Sequence, residues 1–405
     1  MKNLLVGQSG GPTAVINASL YGVVKEALKA PEIAHVYGMI NGIEGLLKDH
    51  YMDLGAELSE EELELLKLTP AAFLGSCRYK LPENLTDAFY ETIFEKFRQM
   101  EIGYFLYIGG NDSMDTVSKL SRYAKHHGSD IRFIGIPKTI DNDLIQTDHT
   151  PGYGSAAKYV AASVREIVLD ASVYQQKAVT IIELMGRHAG WLTAASALAR
   201  KFEGDNPVLI YLPEADFELE QFAKDLNAAL EKQNSVVVCV SEGISDASGT
   251  FVCEYGDEAM VDNFGHKMLT GCGKVLENFV RHRFGVKVRS VELNVSQRCS
   301  GMIASETDIA EAAQAGKEGV RAAVSGKTGS MVAFERVQQS PYKMECRLVD
   351  VNEVCNQEKK VPLSWITRNG SDMGQEFMDY ALPLIQGEPD RPMEHGIPKY
   401  LYRNV

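Results

Sequence analysis

The chain reads as an α/β protein built from two doubly wound lobes, and three observations predict this. Short apolar runs rich in β-branched residues recur along it, several ending in a small or glycine-rich turn followed by a stretch of helical spacing. The alternation occurs in two blocks, which argues for parallel sheets with helices on both faces. The length, 405 residues, exceeds the roughly 250–300 residues over which a single core usually grows. Two blocks therefore imply two domains with a cleft between them.

The first strand, Leu4-Leu5-Val6, leads into the turn Gly7-Gln8-Ser9-Gly10-Gly11, and helical spacing runs from Thr13 through Leu28. Glu57–Leu68 reads as an acidic surface helix with leucines at 58, 63, 65, 66 and 68. Tyr104–Ile108 is a strand feeding Gly109-Gly110-Asn111-Asp112-Ser113, with Met114–Lys125 helical behind it. Ile131–Ile136 feeds Pro137-Lys138-Thr139-Ile140-Asp141-Asn142-Asp143. In the second block Ala178–Leu184 leads into Met185-Gly186-Arg187 and an Ala-rich helix over Trp191–Arg200. Val208–Leu212 and Val236–Val240 are further strands, the latter opening into Ser241-Glu242-Gly243. Ile309–Val324 is helical, and the tail gathers its hydrophobic residues in Met373–Ile385. The domains are drawn as 1–150 plus about 299–350, and 151–298 plus about 351–405.

Hydrophobic content of 45% and charged content of 24% are those of an ordinary soluble globular protein. A net charge of −14 repels polyanions, and with no Lys/Arg-rich run nucleic acid is excluded as a partner. No run approaches the ~20 apolar residues of a membrane span, so no membrane partner and a cytoplasmic location are expected. The seven cysteines form no C-x-x-C pair, which fits reduced thiols rather than disulfides or structural zinc. An anionic substrate would need local cations against this global charge, which singles out Arg78, Lys138, Arg187, Arg289 and Arg298.

Three loops carry the chemistry. Ser9-Gly10-Gly11-Pro12 precedes a helix, so free backbone N–H groups and the positive end of the helix dipole can face an anion; a plain strand-to-helix turn is the competing reading. In Gly109–Ser113 two glycines let backbone approach a ligand, and the oxygen-bearing side chains that follow suit magnesium. The same residue types also favour helix N-caps. In Thr139–Asp143 two carboxylates at i and i+2 behind a buried strand can share a metal-and-base task, one of them taking a hydroxyl proton. A positioned base contributes roughly 10²–10⁴-fold. Lys138 beside them suits charge on a transferring phosphoryl group, whereas a lone surface lysine or arginine contributes under about 1 kcal/mol through ion pairing. Ser325-Gly326-Lys327-Thr328 resembles the end of a P-loop, but Arg321 stands in place of its first glycine and no strand precedes it. That segment is read as a turn.

Taken together, Ser9-Gly10-Gly11, Gly75-Ser76-Cys77-Arg78, Gly109–Ser113, Pro137–Asp143, Met185–Arg187, Ser241-Glu242-Gly243 and Gln297-Arg298 resemble the phosphofructokinase family in order and spacing, over most of residues 1–300. The resemblance implies two Rossmann-like three-layer α/β/α domains with the active site in the interdomain cleft, and Mg²⁺-dependent phosphoryl transfer to the 1-hydroxyl of fructose 6-phosphate. Asp141 aligns with the family's general base. Thr139, Ile140, Met185, Gly186, Arg187, Glu242, Arg289 and Arg298 align with the sugar-phosphate site, in part across the subunit interface of a homodimer or homotetramer. Val295 stands where relatives often place His or Tyr, and Ala178 where many place Arg. Gly10, Gly11, Arg78, Gly110, Asp112 and Ser113 align with donor contacts, and Asn111 and Asp112 with the metal site, Asn111 standing where the family usually has Asp.

The same resemblance points to the donor. Members that use ATP usually carry glycine where this chain has Asp112 and Lys138, whereas members that use pyrophosphate carry an acid and a lysine. A carboxylate at 112 would face the α-phosphate of ATP. Like charges at ~4 Å in an effective dielectric near 20 repel by about 4 kcal/mol, roughly a thousandfold in affinity. Pyrophosphate is therefore the expected donor and the reaction is expected to be reversible. The competing readings are an ATP-dependent 6-phosphofructokinase, a non-catalytic relative, and a nicotinamide dehydrogenase. Retention of Asp141, Asp143, Met185 and Arg187 argues against the second, and the lack of G-x-G-x-x-G against the third.

Overall fold

Strands of three to nine residues, most of them apolar, build two main sheets in the computed structural model, which describes residues 1–255 and 271–403. In chain order the strands are β1 Lys2–Gln8, β2 Ile33–Met39, β3 Tyr51–Asp53, β4 Ile102–Gly109, β5 Arg132–Pro137, β6 Ala178–Leu184, β7 Leu209–Tyr211, β8 Ser235–Ser241, β9 Lys287–Glu292, β10 Ser330–Gln338 and β11 Lys343–Asp350. Contacts divide the chain into one unit of Met1–Ser155, Arg298–Glu358 and Gln386–Val405, and another of Ala156–Gln297 and Lys359–Ile385.

The first unit is built on a seven-stranded sheet of order β11-β10-β5-β4-β1-β2-β3. Side chains alternate across it, as a strand period of two requires. Leu5, Phe105, Tyr107 and Phe133 enter one core with Tyr90, Phe94 and Phe97 of the helix Ala88–Gln99 and Met114, Val117 and Leu120 of the helix Asn111–His126. Leu4, Val6, Leu106, Ile108, Ile134 and Ile136 enter another with Leu20, Val23 and Val24 of the helix Ile16–Ala27 and Val320 and Ala323 of the helix Glu306–Val324. Those last two helices touch backbone to backbone: a Cβ on Gly22 would strike the Ala313 carbonyl, and one on Gly316 the Ser19 carbonyl. Two cores on opposite faces of one sheet make the three-layer α/β/α sandwich.

Register places the loops. In the parallel ladders Gln8 lies beside Ile108 and Gly109 beside Pro137, so the carboxyl ends of β1, β4 and β5 stand in a row. Ligands of open α/β sheets bind along such an edge.

The second unit carries a parallel four-stranded sheet of order β7-β8-β6-β9. Val179, Ile181, Val236, Val238 and Val240 pack against Phe222, Leu226 and Leu230 of the helix Leu219–Lys232 and Cys272, Leu276 and Val280 of the helix Cys272–Phe284.

Several elements differ from the sequence expectation. The tail is divided: 386–405 belongs to the first unit, although about 351–405 was assigned to the second. Main-chain bonds account for this, since Thr307 N donates to Gln386 O at 3.2 Å and Leu401 N donates to Thr69 Oγ1 at 2.9 Å. Residues 351–358 likewise stay with the first unit. The acidic helix is broken at Leu58-Ser59, where Ser59 and Glu62 form a capping box that starts Glu60–Leu68 afresh. The helix expected from Met114 begins at Asn111, and the Ala-rich helix after Gly190 is α-helical only through Ala195, then 3₁₀ through Ala199. Both edges of the large sheet are antiparallel, β2 with β3 and β10 with β11.

Candidate active site

Thr139–Asp143 turns sharply as it leaves β5, and local hydrogen bonds set its shape. Asp141 N donates to Thr139 Oγ1 at 3.1 Å, and the same hydroxyl reaches Asp141 Oδ2 at 3.4 Å. Asn142 adopts a left-handed conformation, φ 54°. Its Oδ1 accepts from Thr150 N at 3.1 Å, and Thr150 Oγ1 donates to Thr139 O at 2.8 Å. The turn is thereby closed on the segment that follows it.

The other two loops are shaped by glycine. Gly10 has φ 77°, and its N–H donates to Cys77 O at 3.3 Å while its carbonyl accepts from Ser76 Oγ at 2.6 Å. A Cβ on Gly109 would collide with the Ser113 side chain. Gly110 caps the sixteen-residue helix Asn111–His126 without a side-chain bond, so this helix begins with main-chain amides and its positive dipole end at the loop.

These loops surround a cavity of about 330 Å³ lined by Ser9, Gly10, Gly11, Cys77, Arg78, Tyr79, Lys80, Gly110, Asn111, Asp112, Ser113, Lys138, Thr139, Asp141, Asp143 and Glu358. Of the residues expected at the donor, the metal and the proton transfer, every one lies here. Ile140 is 6% exposed and packs inward instead. Arg298 stands close by, its Nη1 3.5 Å from where a Cβ on Gly11 would sit. Its Nε is buried with no hydrogen-bond partner among the described residues.

Charge in the cavity is held under tension. Lys138 is 3% exposed and donates from Nζ to Gly11 O at 2.7 Å. Burial pulls its pKa down to about 8, against the opposing pull of Asp141 and Asp143 and with help from Arg78 and Arg298. Asp141 is exposed on the cavity wall; desolvation by the surrounding protein raises its pKa, and Lys138 partly offsets the rise. Asp143 is pushed up to about 7 by burial and by Asp141. Titratable groups shifted by burial and by one another in this way cluster at functional sites.

Asn111 differs from expectation. Its Oδ1 accepts from Asn356 N at 2.9 Å and its Nδ2 donates to Gln357 O at 2.6 Å, so the amide expected at the metal is engaged by main chain.

The second unit holds its own cluster at the carboxyl ends of β6 and β8. Gly186, at φ 143°, donates to Glu242 Oε1 at 3.3 Å, and its carbonyl accepts from Ser241 Oγ. Met185 N donates to Gln297 Oε1 at 3.3 Å. A Cβ on Gly243 would collide with the Arg187 carbonyl, so the two turns pack backbone against backbone. Met185, Gly186, Arg187 and Glu242 are thus brought together. Arg289 is not with them: it pairs in register with Thr180, toward the other end of β6, and faces Asp170 at 3.6 Å. Val295 is 49% exposed in the loop beyond β9.

Comparison with known proteins agrees with this architecture. The phosphofructokinase family model matches residues 3–323. The chain belongs to the phosphofructokinase family. It is 41% identical over 406 residues to a pyrophosphate–fructose 6-phosphate 1-phosphotransferase of Methylococcus capsulatus, covering 99% of this chain and 95% of that protein. A crystal structure of a pyrophosphate-dependent phosphofructokinase from Nitrosospira multiformis superposes with a TM-score of 0.90 at 36% identity, covering 99% and 96% of the two chains. Another from Marinobacter aquaeolei gives 0.89 at 39% identity, covering 99% and 95%. Among the described residues no helix is long and apolar enough to cross a membrane.

Sequence reasoning missed Glu358, Tyr79 and Lys80 as cavity residues. Tyr79 and Lys80 directly follow the quoted Arg78 and were reachable from it; Glu358 carries no local signal.

Proposed function

We propose that this protein transfers a phosphoryl group reversibly from pyrophosphate to the 1-hydroxyl of fructose 6-phosphate, giving fructose 1,6-bisphosphate and phosphate, with Mg²⁺ as cofactor. The observation that carries the reading is the joint placement of Asp112 and Lys138 in one cavity with the Gly10–Gly11 turn. Asp112, exposed at the first turn of its helix, sets a carboxylate against any further phosphate beyond a diphosphate. Lys138, reaching Gly11 O, lies where it can hold the charge of a departing inorganic phosphate.

In this reading the unit containing 1–155 binds donor and metal, and the Met185–Arg187 and Glu242 cluster, with Thr139, Arg298 and Val295, serves the sugar phosphate. Asp141 accepts the proton of the 1-hydroxyl as its oxygen attacks phosphorus and the bond to the leaving phosphate breaks. Lys138 and the amides at Gly10, Gly11 and the Asn111 helix stabilise the migrating charge, and most of the catalysis is positioning and electrostatics.

The residues fit magnesium. Asp112 and Asp143 offer hard oxygens in the cavity, and among the described residues no three acidic, His or Cys side chains form a protein-only cage. Magnesium takes one or two carboxylates and completes its shell with waters and donor phosphates. When bound, it supplies charge neutralisation at the donor oxygens. We further propose a cytoplasmic homodimer or homotetramer in which Arg289 serves a neighbouring subunit. The test is the double substitution D112G/K138G: pyrophosphate turnover should fall at least a hundredfold while ATP turnover rises, measured by coupled assay with fructose 6-phosphate. Unchanged preference would remove both residues from donor choice.

A further inference from the structure

The chain does not reach the cavity at Glu358 by chance. After β11, residues 351–357 run along one face of the helix Asn111–His126 and are tied to it at three successive turns. Ser118 Oγ donates to Asn352 Oδ1 at 2.7 Å, Asn356 Nδ2 reaches Asp115 Oδ1 at 3.5 Å, and Asn111 bonds Asn356 N and Gln357 O with its two amide atoms. Positions 111, 115 and 118 follow the i, i+4, i+7 rule for a single helix face. Val351 and Val354 are fully buried in the core that also holds Met114 and Val117, so the strap is anchored by packing as well. Asn356 is left-handed, φ 63°, and the turn it makes is followed by Glu358, an exposed side chain on the wall of the cavity with Asp112, Asp141 and Asp143. Its charge is felt by both Asp141 and Asp143, raising each. Immediately afterwards, at Lys359, the chain enters the other unit.

A carboxylate on a cavity wall with three others is unfavourable for a bare polyanion and favourable for the same anion carrying a divalent cation. We propose that Glu358 supplies an oxygen to the cation that accompanies the diphosphate and so admits the donor only in its metal-bound form, with Asn111 as the positioning residue that aims it. This replaces the metal role expected of Asn111 and rests on the pyrophosphate reading above.

Equilibrium binding of pyrophosphate to the full-length protein, without sugar phosphate, separates the two ideas. Calorimetric titrations are run in magnesium and in EDTA for the wild type, Glu358→Gln and Asn111→Ala. The ratio of the dissociation constant in EDTA to that in magnesium is expected to fall at least tenfold in E358Q, because the metal complex binds more weakly and the bare anion more tightly. N111A should move the ratio the same way by a smaller factor, and Glu358→Asp should restore part of it. Glu358 is exposed and Gln has its shape, so the fold is expected to survive; an unchanged thermal melt checks this. A ratio in E358Q equal to that of the wild type overturns the proposal while leaving the donor reading intact. Absence of pyrophosphate binding to the wild type in magnesium overturns that reading and the proposal with it.

Discussion

Two buried cations eleven residues apart, Lys138 and His149, show what burial does when the partners differ. Both are within 3% of full burial. Lys138 donates to one backbone carbonyl, Gly11 O, and burial pulls its pKa down to about 8 in spite of nearby carboxylates. His149 lies between Asp148 Oδ1 at 2.8 Å and Glu311 Oε2 at 2.7 Å. Burial pulls against its charge too, but Glu311 and Asp148 together hold its pKa up to about 9. The network extends to Tyr342, whose hydroxyl donates to Glu311 Oε1 at 2.7 Å, and to Arg336, which donates to Asp148 Oδ1 at 2.9 Å. One cation is kept in tension beside an open cavity; the other is satisfied on every side where the helix Glu306–Val324 meets the β10–β11 hairpin. The difference lies in the partners: a lone carbonyl on a cavity wall against two carboxylates where elements pack together.

The contrast makes predictions of decreasing size. Replacing Asp141, the proposed proton acceptor, with Asn should lower kcat by roughly 10²–10⁴-fold with little change in the KM for fructose 6-phosphate. Steady-state kinetics with both substrates varied would check it, and a loss confined to KM would place Asp141 in binding alone.

His149→Ala should act on stability instead. Removing one member of a buried ion pair costs about 3–5 kcal/mol, read as a lowered denaturation midpoint. The pH dependence has a definite sign. His149 titrates near 6.5 when unfolded and at about 9 when folded, so its contribution is complete below about 6.5 and is lost as pH rises through about 9. That contribution is about 3 kcal/mol, and the variant should lose less stability than the wild type on going from pH 6 to 10.

The smallest effect is kinetic. Lys138 must be protonated to hold phosphate charge, so kcat/KM should fall up to tenfold per pH unit above about 8. Lys138→Arg should move this limb upward, because guanidinium stays charged. His149→Ala should leave it in place.

How far the sequence could be read follows from the range of the interactions. Gly109–Ser113, Pro137–Asp143 and Met185–Arg187 are contiguous segments behind apolar strands, and the parallel register alone brings the first two beside the Gly10 turn. Local chemistry was enough to find them. Asn111 was assigned to metal from its loop and the family resemblance, whereas its partners lie some 245 residues away. Glu358 escaped notice for the same reason. His149 was passed over because Glu311, 162 residues distant, is invisible until the helix Glu306–Val324 docks. The β10–β11 hairpin was missed because β11 alternates charged and apolar residues at a sheet edge and lacks a continuous apolar run.

The central claim is that the Asp112–Lys138 cavity selects a diphosphate over a nucleoside triphosphate. Initial rates of fructose 1,6-bisphosphate formation by the purified protein, with Mg²⁺ and either donor, test it most directly. The account predicts a kcat/KM for pyrophosphate about a thousandfold or more above that for ATP; comparable or higher efficiency with ATP would contradict it.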